Sequence, residues 1–190
     1  INKRFEVHDC ARMCQGDILR DLSLYQVTGE ELDEIRFPYL IIISQDCDLE
    51  QYYKKLNEVE KENNKSAEKN EETIVKKAPL QFLTNILLLP AFPSDILREG
   101  NHFTDLYNVK LDRINSANWD KIKDNKDERY HYLKGYQDYQ VPDLVVDFKH
   151  YITLPFIDIK NKYCNVYLST INELFREHLS QRFGNFISRI

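Results

Sequence analysis

The sequence predicts a β-rich α+β fold, a small barrel with a packed C-terminal helix, and three observations carry that prediction. Two continuous apolar runs, Leu40-Ile41-Ile42-Ile43 and Ile86-Leu87-Leu88-Leu89, have the length and branching of strands buried on both faces. Little helical pattern separates the first two predicted strands, which argues for antiparallel pairing over a βαβ unit. Near the end of the chain, Ile171, Leu174, Phe175, Leu179, Phe183, Phe186, Ile187 and Ile190 recur at helical spacing.

The elements follow in order. Gln15-Gly16-Asp17 is a turn signal, and the alternating apolar positions after it suit an opening strand. Asp33 to Pro38 leads into the second strand at Tyr39–Ser44, and a third at Phe82–Leu89 is closed by Pro90. Residues 52–78 are rich in Lys, Glu and Asn, with Leu56 and Val59 as sparse apolar positions, so a charged insertion with one solvated helix is expected. Residues 95–140 alternate aromatic and polar side chains around Trp119 and Arg129–Leu133. Val141–Phe148 and Tyr151–Ile159 read as two more strands, the second placed at an edge or bulge by Pro155. Ser169 is the expected N-cap of a helix over 169–190. Gly184 inside it costs about 1 kcal/mol relative to Ala, which points to a bend or a close contact. The whole chain, 1–190, is read as a single domain.

Composition excludes several classes. The 190 residues are 42% hydrophobic and 30% charged, and no apolar run approaches the roughly 18 to 20 residues that span a bilayer. Without a signal-peptide core at the N-terminus, the expectation is a soluble, cytoplasmic protein with no membrane partner. The four cysteines, Cys10, Cys14, Cys47 and Cys164, are expected as free thiols. Cys10-x3-Cys14 with His8 nearby resembles half of a zinc site, but no second Cys/His pair completes a tetrahedron, so no metal and no cofactor are expected. The net charge of -5 is uneven: residues 1–51 carry 5 basic and 11 acidic side chains, and residues 160–190 carry 5 basic and 2 acidic. A nucleic-acid binder shows a dominant basic surface, and here only the C-terminal helix offers one.

The sharpest candidate site is Ser44-Gln45-Asp46-Cys47-Asp48, at the C-terminal end of the buried strand, where scaffolds present functional side chains. Strand alternation puts Asp46 and Asp48 on one face and Cys47 on the other. Two adjacent carboxylates raise a thiol pKa, so catalysis by Cys47 requires a cation from Arg129, His131 or His150. The expected arrangement is a pocket rim, with Ser44, Gln45, Asp46 and Asp48 toward a ligand and Cys47 packed inward. Arg129-Tyr130-His131-Tyr132 has the cation, imidazole and aromatics that grip phosphate or nucleotides. Alternation places Arg129 and His131 together, where they would complete the Asp46/Asp48 pocket; the plainer alternative is a half-buried strand with its aromatics inward. On the C-terminal helix, Arg176, Arg182 and Arg189 form a loose stripe, either a solvated face or a docking surface.

The order Gly16-Asp17, then Arg36-Phe37-Pro38 leading into Leu40–Ser44, then Ile86–Leu89 ending in Pro90, resembles the MazF/PemK-like toxins over about residues 15–95. The resemblance implies an SH3-like barrel, elaborated here by the charged insertion, and metal-independent RNA cleavage by an Arg before a Pro with a Thr after the third strand. Arg36 takes the cation position, with Phe37 between it and Pro38. The Thr position falls near Phe92, which has no hydroxyl, with Ser94 two residues on. A phosphorane needs both the cation and the positioned hydroxyl. The expected function is therefore a divergent module of a prokaryotic toxin–antitoxin or defence-type system that binds a nucleic acid, a nucleotide or a protein partner, with a homodimer as a further option. The alternatives are a ribonuclease using Arg36 and Ser94, a hydrolase using Cys47 with His131, and a structural subunit of a larger assembly.

Overall fold

Continuous apolar strands imply a sheet covered on both faces, and the structure, a computed structural model that describes residues 4–28, 31–67 and 84–189, contains one. The elements are β1 (Phe5–Glu6), β2 (Asp17–Thr28), β3 (Glu31–Ile42), α1 (Asp46–Ala67), β4 (Asn85–Pro93), α2 (Ser94–Arg98), α3 (Thr104–Tyr107), α4 (Ser116–Lys123), β5 (Tyr130–Leu133), β6 (Leu144–Asp147), β7 (Ile152–Pro155), α5 (Phe156–Lys160), α6 (Tyr163–Val166), β8 (Tyr167–Ile171) and α7 (Glu173–Ile187). The strands pair antiparallel in the order β1-β8-β2-β3-β4-β6-β5, and β7 pairs with the half of β4 that β6 leaves free. The sheet is not closed, because β1 and β5 lie at its two ends.

Alternation distributes the apolar runs between two cores. Leu40, Ile42, Leu88, Phe92 and Val145 point to one side, where Leu49, Tyr52, Phe103, Trp119, Phe156 and Tyr163 cover them. Ile41, Ile43, Leu89, Ala91, Leu144 and Val146 point to the other, under Phe5, Phe148, and Leu179 and Phe183 of α7. Each fully buried Leu or Ile contributes about 1.5–3 kcal/mol through removal from water. The four-residue runs thus serve both layers at once.

Several boundaries differ from the sequence expectation. β3 begins at Glu31 and ends at Ile42, and β4 continues through Pro90 to Pro93. Pro90 lies opposite Leu40. The Ile43 N–H donates to the Leu87 carbonyl (3.0 Å), so by alternation the Leu40–Pro90 pair exchanges no backbone bonds, and the missing N–H costs nothing there. The expected second half of the Tyr151–Ile159 strand is instead helix α5 after Pro155. Ser169 is not a helix cap: it lies in β8, buried opposite Ile18, and α7 starts after Asn172. A Cβ at Gly184 would meet nothing within 4 Å, so no close contact explains that glycine. Phe82 and residues 68–78 of the insertion lie outside the described residues.

Candidate functional site

The acidic cluster after β3 is the first turn of α1, not a strand end. The Gln45 carbonyl accepts from the N–H groups of Asp48 and Leu49, so the chain turns helical at once, and Asp46 and Asp48 sit at the positive end of the helix. Helical geometry removes the expected alternation, and Cys47 is exposed rather than packed inward. Its thiol lies 3.6 Å from Gln45 Oε1 and 3.8 Å from Asp48 Oδ1. Asp46 accepts from the Gln15 N–H (3.2 Å) and pairs with Arg12 (3.4 Å), while Ser44 Oγ accepts from the Leu87 N–H (2.9 Å). These groups join loop to helix and helix to sheet.

Arg129 and His131 have separate partners. Arg129 turns to Asp147, which is fully buried, and donates twice, from Nε at 2.9 Å and Nη2 at 2.6 Å. Asp147 also accepts from the Lys149 N–H (3.0 Å) and bonds His150 Nδ1 (2.8 Å). Burial pushes its carboxyl up, but the bonds from Arg129 and His150 outweigh burial and hold it below the ordinary range. His131 is buried on the α7 side, 3.3 Å from Arg182 Nη1, with its ring 5.3 Å from that of His178. Burial, reinforced by Arg182, pushes the imidazole down to about 3. Neither group contacts Asp46 or Asp48, and the expected shared pocket does not form.

The three helix arginines are engaged within the chain. Arg176 donates to the Gln15 carbonyl (3.1 Å), and Arg189 pairs with Glu128 (2.5 Å). Arg182 donates to Asn125 Oδ1 (2.8 Å) and to the carbonyls of Tyr130 (3.1 Å) and Asp127, tying α7 to the β5 edge.

What the tertiary structure does bring together is a cleft of about 500 Å³ between β2, β3 and the end of β4. Arg36 and Phe92, the two positions singled out by the family resemblance, both line it. Ser94 lies in a different cleft, beside Arg98, Trp119 and Lys123. Asp21, Glu34 and Asp105 line the cleft together with Arg36, whose guanidinium pairs with Asp21 at 3.2 Å, and Asp21 also pairs with Arg20 at 3.8 Å. Asp21 has a left-handed backbone (φ +57°) in mid-strand, a strained conformation for a non-glycine residue that Asp tolerates better than most. His102 is the group that the sequence reading missed. It is 5% exposed, lines the cleft, packs at a tilt against Phe92 and Phe103 with ring centroids 5.1 and 4.3 Å away, and both ring nitrogens are buried with no hydrogen-bond partner. Burial pushes it down to about 4, so it is a neutral imidazole at pH 7.

No family model, curated protein or solved structure matches this chain. The cleft must therefore be judged on its own chemistry. With the neutral His102 ring in its wall, both ring nitrogens shielded from solvent, and Asp21, Glu34 and Asp105 in its lining, the cleft suits a ligand that brings positive charge. No local sequence signal marks His102, because its burial depends on Phe92, ten positions back, and on a cleft wall more than sixty positions earlier in the chain.

Proposed function

We propose that this chain is a divergent MazF/PemK-like binding module of a toxin–antitoxin or defence-type system, and that the Arg36/His102 cleft takes a basic segment of a protein partner rather than an RNA strand. The β2–β3–β4 meander then corresponds to the SH3-like portion, left open and built over by helices. The observation that carries the reading is the charge of the lining, where Asp21, Glu34 and Asp105 stand against Arg36 and the neutral His102 ring forms part of the wall. The carboxylates favour a Lys or Arg side chain in that place and repel phosphate. Nuclease action finds less support, since Phe92 supplies no hydroxyl, Ser94 lines another cleft, and Arg36 is already paired.

The test is a binding titration of the full chain with a short Lys/Arg-rich peptide and with a single-stranded RNA of equal length. Peptide binding should weaken about tenfold or more in Asp105→Asn, as for a desolvated charge pair worth at least 1.4 kcal/mol. RNA cleavage or growth arrest abolished by Arg36→Ala would overturn this reading in favour of the ribonuclease. The genes encoded next to this one supply a second check, because such modules travel with a partner.

A further inference from the structure

The turn before β2 gathers a second constellation that the cleft does not use. Gly16, at φ +91°, closes a turn in which the Asp17 N–H donates to the Cys14 carbonyl (3.2 Å), a conformation that favours glycine. This swings the Cys14 thiol, the His8 imidazole and the Asp17 carboxylate together, so that one ligand atom from each lies within 4.8 Å of the others. The expected Cys10–Cys14 pairing is not what forms: Cys10 faces Cys164 instead, and the third donor is Asp17.

Hydrogen-bond accounting shows what this trio lacks. Asp17 is fully buried, and three donors already serve it: the Cys14 N–H (2.6 Å) and Tyr163 hydroxyl (2.6 Å) on Oδ2, and the Thr170 hydroxyl (2.7 Å) on Oδ1. His8 Nδ1 faces the Asp9 carbonyl at 2.5 Å, an acceptor only, so Nδ1 carries a proton. The other nitrogen, Nε2, then points its lone pair at Asp17 Oδ1, 3.0 Å away. Two acceptors at that distance require a cation between them or on one of them. One solution is a proton, giving an imidazolium–carboxylate pair. The other is a metal ion, and the surroundings are those of a ligating histidine: the far N–H on a backbone carbonyl, the ring held against Tyr167 (centroids 4.8 Å), and the carboxylate oriented by its own donors.

We infer that His8 Nε2, Cys14 Sγ and Asp17 form a three-ligand site for a single zinc-class divalent cation, with a fourth position open to water. Thiolate with imidazole selects zinc or cobalt over magnesium or calcium, and three protein ligands with one open position is the pattern of accessible zinc sites. The His8 side chain is 27% exposed, which leaves an entry path. Binding takes the thiolate form, so the Sγ–H proton leaves to solvent as the Sγ–metal bond forms, and Nε2 binds through its lone pair, releasing any proton it carries.

The experiment is a Co2+ titration of the metal-free full chain, followed by Zn2+ displacement. Expected are one ion per chain, a thiolate-to-cobalt charge-transfer band with tetrahedral d–d absorption, and release of at least one proton per ion in calorimetry across buffers of different ionisation enthalpy. Cys14→Ser should abolish the charge-transfer band. His8→Ala should weaken binding about 100-fold, at or beyond the upper end of what orienting partners alone contribute. Cys10→Ser and Cys164→Ser should leave both readouts unchanged. Absence of the band, its survival in Cys14→Ser, or its loss in Cys10→Ser would each overturn the proposal. Asp17→Asn also strips Tyr163 and Thr170 of their acceptor, so the two peripheral ligands carry the test.

Discussion

Replacing Arg129 with Ala should be among the most damaging single changes near the cleft, and its size follows from the bonds around Asp147. That carboxylate has no exposure and four hydrogen bonds, two of them from the Arg129 guanidinium at 2.9 and 2.6 Å. Removing one partner of a buried ion pair costs about 3–5 kcal/mol. The Lys149 N–H and His150 remain, and the Arg129 side chain is 30% exposed, so screening lowers the expectation to about 2–3 kcal/mol. With a urea m-value of about 1–3 kcal/mol/M, the midpoint should fall by about 0.7–3 M. The pH dependence gives a sharper readout. In the native chain Asp147 lies below its unfolded value near 3.9, so its stabilisation is present above that pH and is lost as pH falls through the lower folded value. Without Arg129, burial dominates and raises the folded value, so the variant should lose stability as pH rises past about 4. A midpoint shift too small to measure, with the acid limb unchanged, would refute the account of Asp147 as a carboxylate held by Arg129.

Three other outcomes follow from the same reasoning. His131 at about 3 and His102 at about 4 are neutral when folded but protonate near 6.5 when unfolded, so stability should decline as pH falls from about 6.5 to 4, each group contributing up to about 1.4 kcal/mol per pH unit; His131→Leu should flatten that slope in urea melts. Gly16→Ala should destabilise by about 1–3 kcal/mol in thermal unfolding, because φ is +91° and the new Cβ would lie 2.9 Å from Arg176 Cδ and 3.1 Å from the Ile171 carbonyl oxygen. Thiol labelling near neutral pH should modify exposed Cys47 and Cys164 early and Cys14 last, and mass mapping of the labelled peptides reads the order.

Residue types and their order alone determined the strand character of Leu40–Ile43 and Ile86–Leu89, the Gly16-Asp17 turn, the helical insertion and the C-terminal helix. These rest on local physics: an apolar run of this length must be buried on both sides, and glycine permits the left-handed turn. The register of the acidic cluster was also partly legible, since Leu49, Tyr52 and Leu56 continue from it at helical spacing, with Asp46 and Asp48 as first-turn acids. The partnerships were not legible. Arg129 and His131 are two positions apart yet serve different sides of the sheet, because Asp147 lies eighteen positions from one and Arg182 fifty-one from the other. His102 became a candidate only when β3 and β4 brought Arg36 and Phe92 beside it, and Asp17 only when His8 and Tyr163 closed over it from both ends of the chain. Burial of a polar side chain is a property of the assembled fold: whether an ionisable group is solvated, paired or left wanting a ligand depends on which distant residues exclude water from it, and only tertiary structure decides that.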